Sequence, residues 1–310
     1  MLIFSIESSH DDTSFAICKN KSVLWMKTIS QIEVHKKYGG TVPEIASRLH
    51  SKNIAILIEE IKTEIDFNKI DLIAYTKEPG LIGSLHIGYI VANTISILFN
   101  KPIIGLNHLE GHFYSAFIDK EVMYPALGLI ASGGHTQLVL YKSKNDYQLI
   151  GETQDDAIGE AYDKVARKLK IGFPGGPIID EYWKKFHKIY LKNYSIPETN
   201  KKYDFSLSGL KTNIINLINN DENRKRKVDT EKYATEFQNT IIKYLYKKMK
   251  IAIEEFHPNC IVLSGGVSAN YGIRNMFLKL HKNVFLPDLK YTTDNAGMIG
   301  RLAYEKERDE

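Results

Sequence analysis

The sequence predicts an α/β protein built as two lobes of related topology. Three observations point there. A succession of apolar strand, polar turn, strand, strand and then helices starts at Leu2 and starts again at Ala126. Two apolar runs lead straight into a Ser-Gly-Gly loop, one over Gly128-Leu129-Ile130-Ala131-Ser132-Gly133-Gly134 and one over Ile261-Val262-Leu263-Ser264-Gly265-Gly266. A length of 310 residues leaves room for one large or two ordinary domains, each with a real core. The repeat is one of pattern and not of sequence identity. No long Pro-, Gly- or Ser-rich linker divides the halves, so closely joined lobes facing one cleft are expected. The expected division is a first lobe over 1–124, completed by a C-terminal helix over 295–310, and a second lobe over 125–294.

The elements follow from local pattern. Leu2–Ile6, Thr13–Cys18 and Val23–Ser30 read as an antiparallel meander, with Ser8-Ser9-His10-Asp11-Asp12 as its first turn. A helix is predicted over Pro43–Lys62, where proline suits the first turn and Ile45, Leu49, Ile54, Leu57, Ile58 and Ile61 recur at roughly helical spacing. Asp71–Tyr75 is a short strand, Gly83–Phe99 a helix, and Ile103-Ile104 a brief strand before Asn107. The second meander takes Ala126–Ala131, His135–Tyr141 and Tyr147–Glu152. Residues from Tyr190 to Tyr203, with Pro197 among them, read as a loop. Residues 231–256 are helical, with Tyr233, Phe237, Ile241, Leu245 and Ile251 on one side. Cys260–Leu263 is a buried strand, and Asn295–Arg308 a helix that returns to the first lobe.

Composition narrows the class. Hydrophobic residues at 43% and charged residues at 25% are ordinary for a soluble globular chain. The apolar start stops at Glu7 and has no basic region before it, so it reads as a first strand and not a signal peptide. The longest apolar stretch, Leu85 to Phe99, contains His86, Asn93 and Thr94 and reads as too short and too polar to span a bilayer. Cys18 and Cys260 stand singly in apolar runs, which argues for small core residues in a reducing cytoplasm and against a disulfide framework or a cysteine zinc site. The formal charge is +4, lysines often neighbour tyrosines, and Arg224-Lys225-Arg226-Lys227 is the densest basic run. Such patches suit a polyanion with stacked bases, and they equally suit a solvated face.

Three groups of residues carry chemistry. Glycine lets a backbone turn with φ > 0 and bring N–H groups against an anion, so two Ser-Gly-Gly loops read as two walls of a nucleotide pocket, against two plain tight turns. In Asn107-His108-Leu109-Glu110-Gly111-His112 the histidines at i and i+4 share one helix face and can ligate one ion, or they can have unrelated partners. A zinc protease sets its glutamate directly after the first histidine; here Glu110 comes two residues on and faces away. A third ligand is needed, and Asp294 is the candidate, against an N-cap at the start of the last helix. Asp155, Asp156, Glu160 and Asp163 lie at helical spacing before Pro174-Gly175-Gly176-Pro177 and Asp180. They could accept bonds from ribose hydroxyls or form an exposed acidic face.

Taken together these residues resemble the TsaD (YgjD, Gcp) family of tRNA threonylcarbamoyladenosine transferases over essentially the whole chain. The likeness rests on an ordered set: Ile6-Glu7-Ser8-Ser9; His35-x-x-Tyr38-Gly39-Gly40-Thr41-Val42-Pro43-Glu44-x-Ala46-Ser47-Arg48-x-His50; Pro79-Gly80-Leu81-x-Gly83-Ser84-Leu85; Asn107–His112; Ser132–Gln137; Gly159–Lys164 with Pro174–Pro177; Phe205–Thr212; Ser264–Asn270; and Thr293-Asp294-Asn295. The resemblance implies a two-lobed α/β fold of the actin-like ATPase and sugar-kinase type, a duplicated ribonuclease H-like arrangement. It implies transfer of the threonylcarbamoyl group of threonylcarbamoyl-AMP to N6 of the adenosine 3′ of the anticodon, in tRNAs that read ANN codons. It further implies one divalent ion per subunit, iron or zinc, on His108, His112 and Asp294, and adenylate binding by Ile130, Ala131, Ser132, Gly133, Gly134, Asp163, Gly176, Asp180 and Asn270. No residue is assigned as a general base. The implied partners are tRNA, TsaB-like and TsaE-like proteins and a TsaC-like synthase that supplies the intermediate, with no membrane.

Two positions depart from the family pattern. His10 stands where bacterial members commonly have cysteine, and can add a contact near the metal or phosphates; Glu78 stands where they have glycine before Pro-Gly-Leu. Two rival readings remain at this point: a metalloprotease resting on His108 and His112, and a non-catalytic nucleotide-binding regulator.

Overall fold

The computed structural model describes residues 1–196 and 199–308. Pro197 of the expected loop and the last two residues of the expected terminal helix lie outside the described residues. The chain divides into two compact units, Met1–Val122 with Pro287–Glu310, and Met123–Leu286.

Unit 1 is built on β1 (Leu2–Glu7), β2 (Asp12–Lys19) and β3 (Ser22–Ser30), an antiparallel meander. Helices α1 (Ile32–His35) and α2 (Pro43–Ile61) follow, then β4 (Leu72–Glu78), α3 (Ile82–Phe99), β5 (Ile103–Asn107) and α4 (His108–Ser115). Strands β4 and β5 add to β1 in parallel, for a sheet order β3-β2-β1-β4-β5. Alternation of side chains along the strands supplies two covered faces. One face carries Phe4, Ile6, Phe15 and Ile17 against Ile54, Leu57 and Ile61 of α2 and Ala92 and Ile95 of α3. The other carries Ser5 and Cys18 under a C-terminal helix, Ala296–Glu307; a Cβ on Gly300 of that helix would stand 2.3 Å from Cys18 Sγ, so only glycine allows this seating.

Helix α3 differs from expectation. It has 18 residues with a mean hydropathy of 1.5, which by length and composition alone is enough to cross a membrane. In unit 1 it packs on β4 and α2, sets Ser84 and Gly88 against Ser8 and Ile6, buries Ala92 and Ile95, and leaves Ile82, Tyr89, Ile90, Ile97 and Leu98 exposed.

Unit 2 repeats the plan. Strands β6 (Ala126–Ala131), β7 (Thr136–Tyr141) and β8 (Tyr147–Glu152) form an antiparallel meander. Helices α5 (Ile158–Leu169), α6 (Gly175–Phe186), α7 (Ser208–Asn223) and α8 (Thr230–Phe256) come next, then β9 (Cys260–Ser264), α9 (Tyr271–Phe277) and β10 (Val284–Phe285). Strands β9 and β10 run parallel to β6, for a sheet order β10-β9-β6-β7-β8. Strand for strand this is the order of unit 1, so the duplicated α/β fold is as the sequence predicts. Leu127, Leu129, Leu138 and Leu140 of the sheet bury with Val165 of α5 and with Phe237, Ile241 and Leu245 of α8. Helix α7 was not predicted. Its asparagines are weak helix formers, and what starts it is remote: Asp155 accepts from the amides of Leu207 (2.8 Å) and Ser208 (3.2 Å).

Candidate functional site

In unit 1 the carboxyl end of β5 runs into α4, with Asn107 as cap: its Oδ1 accepts from Leu109 N (2.9 Å) and Glu110 N (3.1 Å). This starts the helix at His108 and sets His108 and His112 one above the other, with ring centroids 4.6 Å apart. Asp294 reaches them from the loop before the C-terminal helix. Its Oδ1 lies 3.1 Å from His112 Nε2 and 3.5 Å from His108 Nε2. The N-cap reading of Asp294 does not hold, because the neighbouring Asn295 caps the helix through Met298 N (3.0 Å) and leaves the Asp294 carboxylate to the histidines.

Two residues outside the expected ligand set of His108, His112 and Asp294 join this cluster, and one of them is His10, expected to add a contact near the metal or phosphates. His10, from the turn between β1 and β2, places Nδ1 3.6 Å from Asp294 Oδ2, and its ring centroid is 5.2 Å from that of His108. One ligand atom each from His10, His108 and Asp294 lies within 4.8 Å of the others. Glu7, at the end of β1, is buried and puts Oε2 3.0 Å from His108 Nδ1. Its other oxygen accepts from Ser9 N (2.6 Å), and Thr76 Oγ1 donates to Oε2 (2.6 Å). The signal for Glu7 was present as a lone carboxylate at the end of an otherwise apolar strand; for His10 it was a histidine in a polar turn.

Electrostatics bind the group together. Burial opposes charge on His108, but Asp294 and Glu7 raise it to about 9. Burial would push Asp294 up, yet His108 and the hydrogen bonds from His10 and His112 hold it well below the usual carboxylate range. Burial keeps His112 below the ordinary imidazole value, and its Nδ1 is buried without a partner among the described residues. The donor set fits a divalent cation. In the neutral ring, a His108 Nδ1 proton given to Glu7 leaves the Nε2 lone pair on the side of Asp294, where an ion would be held. Two imidazoles and a carboxylate are the ligand types of catalytic zinc and non-heme iron sites. Glu110 turns away, as expected, and pairs with Lys306 at 2.8 Å, so it is not placed to serve as a base in a zinc-protease site.

Unit 2 gathers the other candidates. Parallel pairing of β6 with β9 sets both glycine loops at the carboxyl ends of neighbouring strands, where ligands bind in open α/β sheets. Gly265 packs on β6: a Cβ would stand 2.4 Å from Ala131 O, and its φ is +81°. Gly133 and Gly134 do not take the positive φ expected of them; they face open space, with nothing within 4 Å of a Cβ, and Gly176 and Gly266 do too. Among the described residues neither the Gly133 nor the Gly134 amide donates a hydrogen bond, and Ser132 closes the turn through its amide to His135 O (2.8 Å) and its Oγ from His135 N (3.1 Å). Ser132 O accepts from Gly159 N at the start of α5 (3.2 Å). Asp163 on α5 accepts from Gly175 N (2.6 Å) and so holds the start of α6, in whose first turn Gly176 stands. Asp180 on α6 and Asn270 before α9 are brought together by Gln238, which donates to both (2.7 and 3.3 Å). Sequence spacing alone did not indicate Gln238. The acidic-face reading fails for Asp156, which is buried between Lys164 (2.6 Å) and Lys211 (2.7 Å). Glu78 is exposed at the end of β4.

The model of the TsaD family, tRNA N6-adenosine threonylcarbamoyltransferase, matches residues 22–301. A protein of that name from Metamycoplasma arthritidis is 68% identical over 308 residues, 99% of each chain. Another from Mycoplasmopsis synoviae is 54% identical over 305 residues, 98% of each chain. Among solved structures, full-length HypF superposes with a TM-score of 0.62 at 14% identity, covering 98% of this chain and 54% of HypF. Component A of (R)-2-hydroxyglutaryl-CoA dehydratase from Acidaminococcus fermentans does so with 0.55 at 13%, covering 99% and 98%. At that identity these two speak for the fold alone, the two-lobed actin-like type. The match over nearly the whole chain places this protein in the TsaD family of tRNA N6-adenosine threonylcarbamoyltransferases.

Proposed function

We propose that this chain transfers the threonylcarbamoyl group of threonylcarbamoyl-AMP to N6 of the adenosine 3′ of the anticodon in tRNAs that read ANN codons. What supports the chemistry is one observation: Asp294 comes from 182 residues beyond His112 to put its carboxylate 3.1 Å from the Nε2 of that ring, beside His108. His108, His112 and Asp294 hold a divalent ion, iron or zinc, which when bound supplies Lewis acidity and a fixed point for carbamoyl or phosphate oxygens. Glu7 keeps His108 in its ligating tautomer. Ile130, Ala131, Ser132, Gly133, Gly134, Asp163, Gly176, Asp180 and Asn270 receive the adenylate, with the amides of Gly133 and Gly134 turned to phosphate. The N6 amine attacks the carbamoyl carbon, the bond from that carbon to the phosphate oxygen breaks, AMP leaves with that bonding pair, and the proton shed by the amine passes to water. An exocyclic amine of adenine is a poor nucleophile, so positioning contributes more than a strong base, and no side chain is assigned that role.

The exposed run Arg224–Lys227 after α7 suits a phosphate backbone. A TsaB-like and a TsaE-like protein complete the enzyme, a TsaC-like synthase supplies the intermediate, and the reaction belongs in the cytoplasm. Reconstitution with those partners, threonylcarbamoyl-AMP and an ANN-reading tRNA, followed by mass spectrometry of the nucleosides, tests the reading. Wild type should form threonylcarbamoyladenosine, and His108→Ala and His112→Ala should not. Near-normal transfer by either variant with no bound metal would overturn it.

A further inference from the structure

We propose that His10 is a third imidazole ligand of the cation in unit 1, so that the chain holds this ion with four protein donors before any substrate arrives. The proposal rests on the reading that His108, His112 and Asp294 form a cation site. A histidine in a polar turn ordinarily points into solvent and wanders. The turn that carries His10 is instead fixed on both sides. Ser9 N donates to Glu7 Oε1 (2.6 Å), and Ser9 O accepts from Leu81 N (2.8 Å). His10 O accepts from His50 Nε2 on α2 (2.8 Å), and Asp11 O accepts from Gln31 N (2.9 Å). Gly80 lies so close that a Cβ would stand 2.6 Å from Ser9 O.

This anchoring directs the side chain. The His10 ring lies beside that of His108, and its Nδ1 is within 3.6 Å of Asp294 Oδ2. His10 is also 30% exposed where His108 is 2% and His112 is fully buried, so it stands on the solvent side of the other two rings. With the turn already ordered, bringing this ring onto an ion costs side-chain freedom and the 2.8 Å hydrogen bond between His10 Nδ1 and Ser9 Oγ. Three imidazoles and one carboxylate make a set of four donors suited to zinc or cobalt, and poorly suited to magnesium or calcium, which favour oxygen.

The experiment uses the full chain with Zn²⁺ or Co²⁺ alone and no nucleotide. Zinc affinity is measured by chelator competition for wild type, His10→Ala, His10→Cys and His108→Ala, with thermal melts of the metal-free proteins as a check on folding. The proposal expects His10→Ala to bind zinc at least about 10-fold more weakly, no less than the loss of an outer-shell partner costs. It expects the cobalt form of His10→Cys to gain a thiolate-to-metal charge-transfer band that wild type lacks, since Cys18 and Cys260 are buried elsewhere. The band reports coordination at position 10 directly, whatever the alanine variant does to folding. Unchanged zinc affinity in His10→Ala with no band in His10→Cys would overturn the proposal while leaving the cation site intact, provided His108→Ala loses zinc. A wild-type chain that binds no zinc or cobalt would overturn both.

Discussion

Glu7 Oε2 lies 3.0 Å from His108 Nδ1, and both side chains are buried. The contact joins the end of the first strand to the first turn of α4, 101 residues apart. Burial alone would raise the Glu7 carboxyl, but the facing His108 imidazole holds it below its ordinary value. A carboxylate behind a ligating histidine fixes the ring's tautomer and makes its far nitrogen more basic.

Glu7→Gln keeps the shape of this contact and removes its charge. Zinc affinity should fall by about 10–100-fold, the range seen for partners behind metal ligands. Chelator competition on the purified variant reads this. An affinity equal to wild type would show that Glu7 serves only packing.

Placement of Asp294 depends on how the C-terminal helix seats in unit 1. Arg301 is buried there, donating to Phe117 O (2.9 Å) through Nε and to Glu305 Oε2 (2.8 Å). Without Arg301, buried Glu305 keeps only Arg308, 2.7 Å from its other oxygen, as counter-charge. Arg301→Met should lower the unfolding free energy by less than the about 3–5 kcal/mol of a wholly unpaired buried charge, and the double variant Arg301→Met, Glu305→Met should recover much of that loss. Urea unfolding compares the two; a double variant no better than the single would contradict this account.

The meanders were legible because each strand alternates or runs apolar between turn residues, and α2 and α8 because their apolar positions repeat at helical spacing. Helix α7 was not, since its start is set by Asp155 from another part of unit 2. The same holds at the candidate sites. His108 and His112 were legible as a pair because a helix makes i and i+4 neighbours. Asp294, Glu7 and His10 join them only through the fold, and spacing carries no trace of contacts between residues so distant in the chain. The glycine loops were legible as loops, but of the φ > 0 expected in both, only Gly265 shows it, because it is the β9 loop that must turn against Ala131 O.

Both thiols should be inert in the folded chain. Burial pushes Cys18 and Cys260 up to about 12, and Cys260 Sγ also donates to Met123 O (3.1 Å). At pH 8 a thiol-specific reagent should label neither residue in the native protein and both in denaturant. A raised thiol favours the protonated folded state. The stability it contributes is therefore whole below about pH 9 and is lost as pH climbs toward 12. Native labelling at pH 8 would show that at least one of the two sites opens.

The two glycine loops should respond differently to alanine. At Gly133 the backbone is not in the left-handed region and a Cβ meets nothing within 4 Å, so Gly133→Ala should melt like wild type. If the adenylate phosphate lies against this loop, the added methyl stands where the ligand must approach. Overpacking of that kind costs about 1–3 kcal/mol, which is roughly a 5- to 150-fold loss of AMP affinity. Gly265 has φ +81° and Ala131 O 2.4 Å from a Cβ, so Gly265→Ala strains the backbone and should destabilise unit 2 by at least about 1–2 kcal/mol, whether or not a nucleotide is present. Calorimetric titration with AMP, beside thermal melts of both variants, separates a loop that binds from a loop that only turns. A Gly133→Ala chain that melts normally and binds AMP as wild type does would remove Gly133 from the adenylate site.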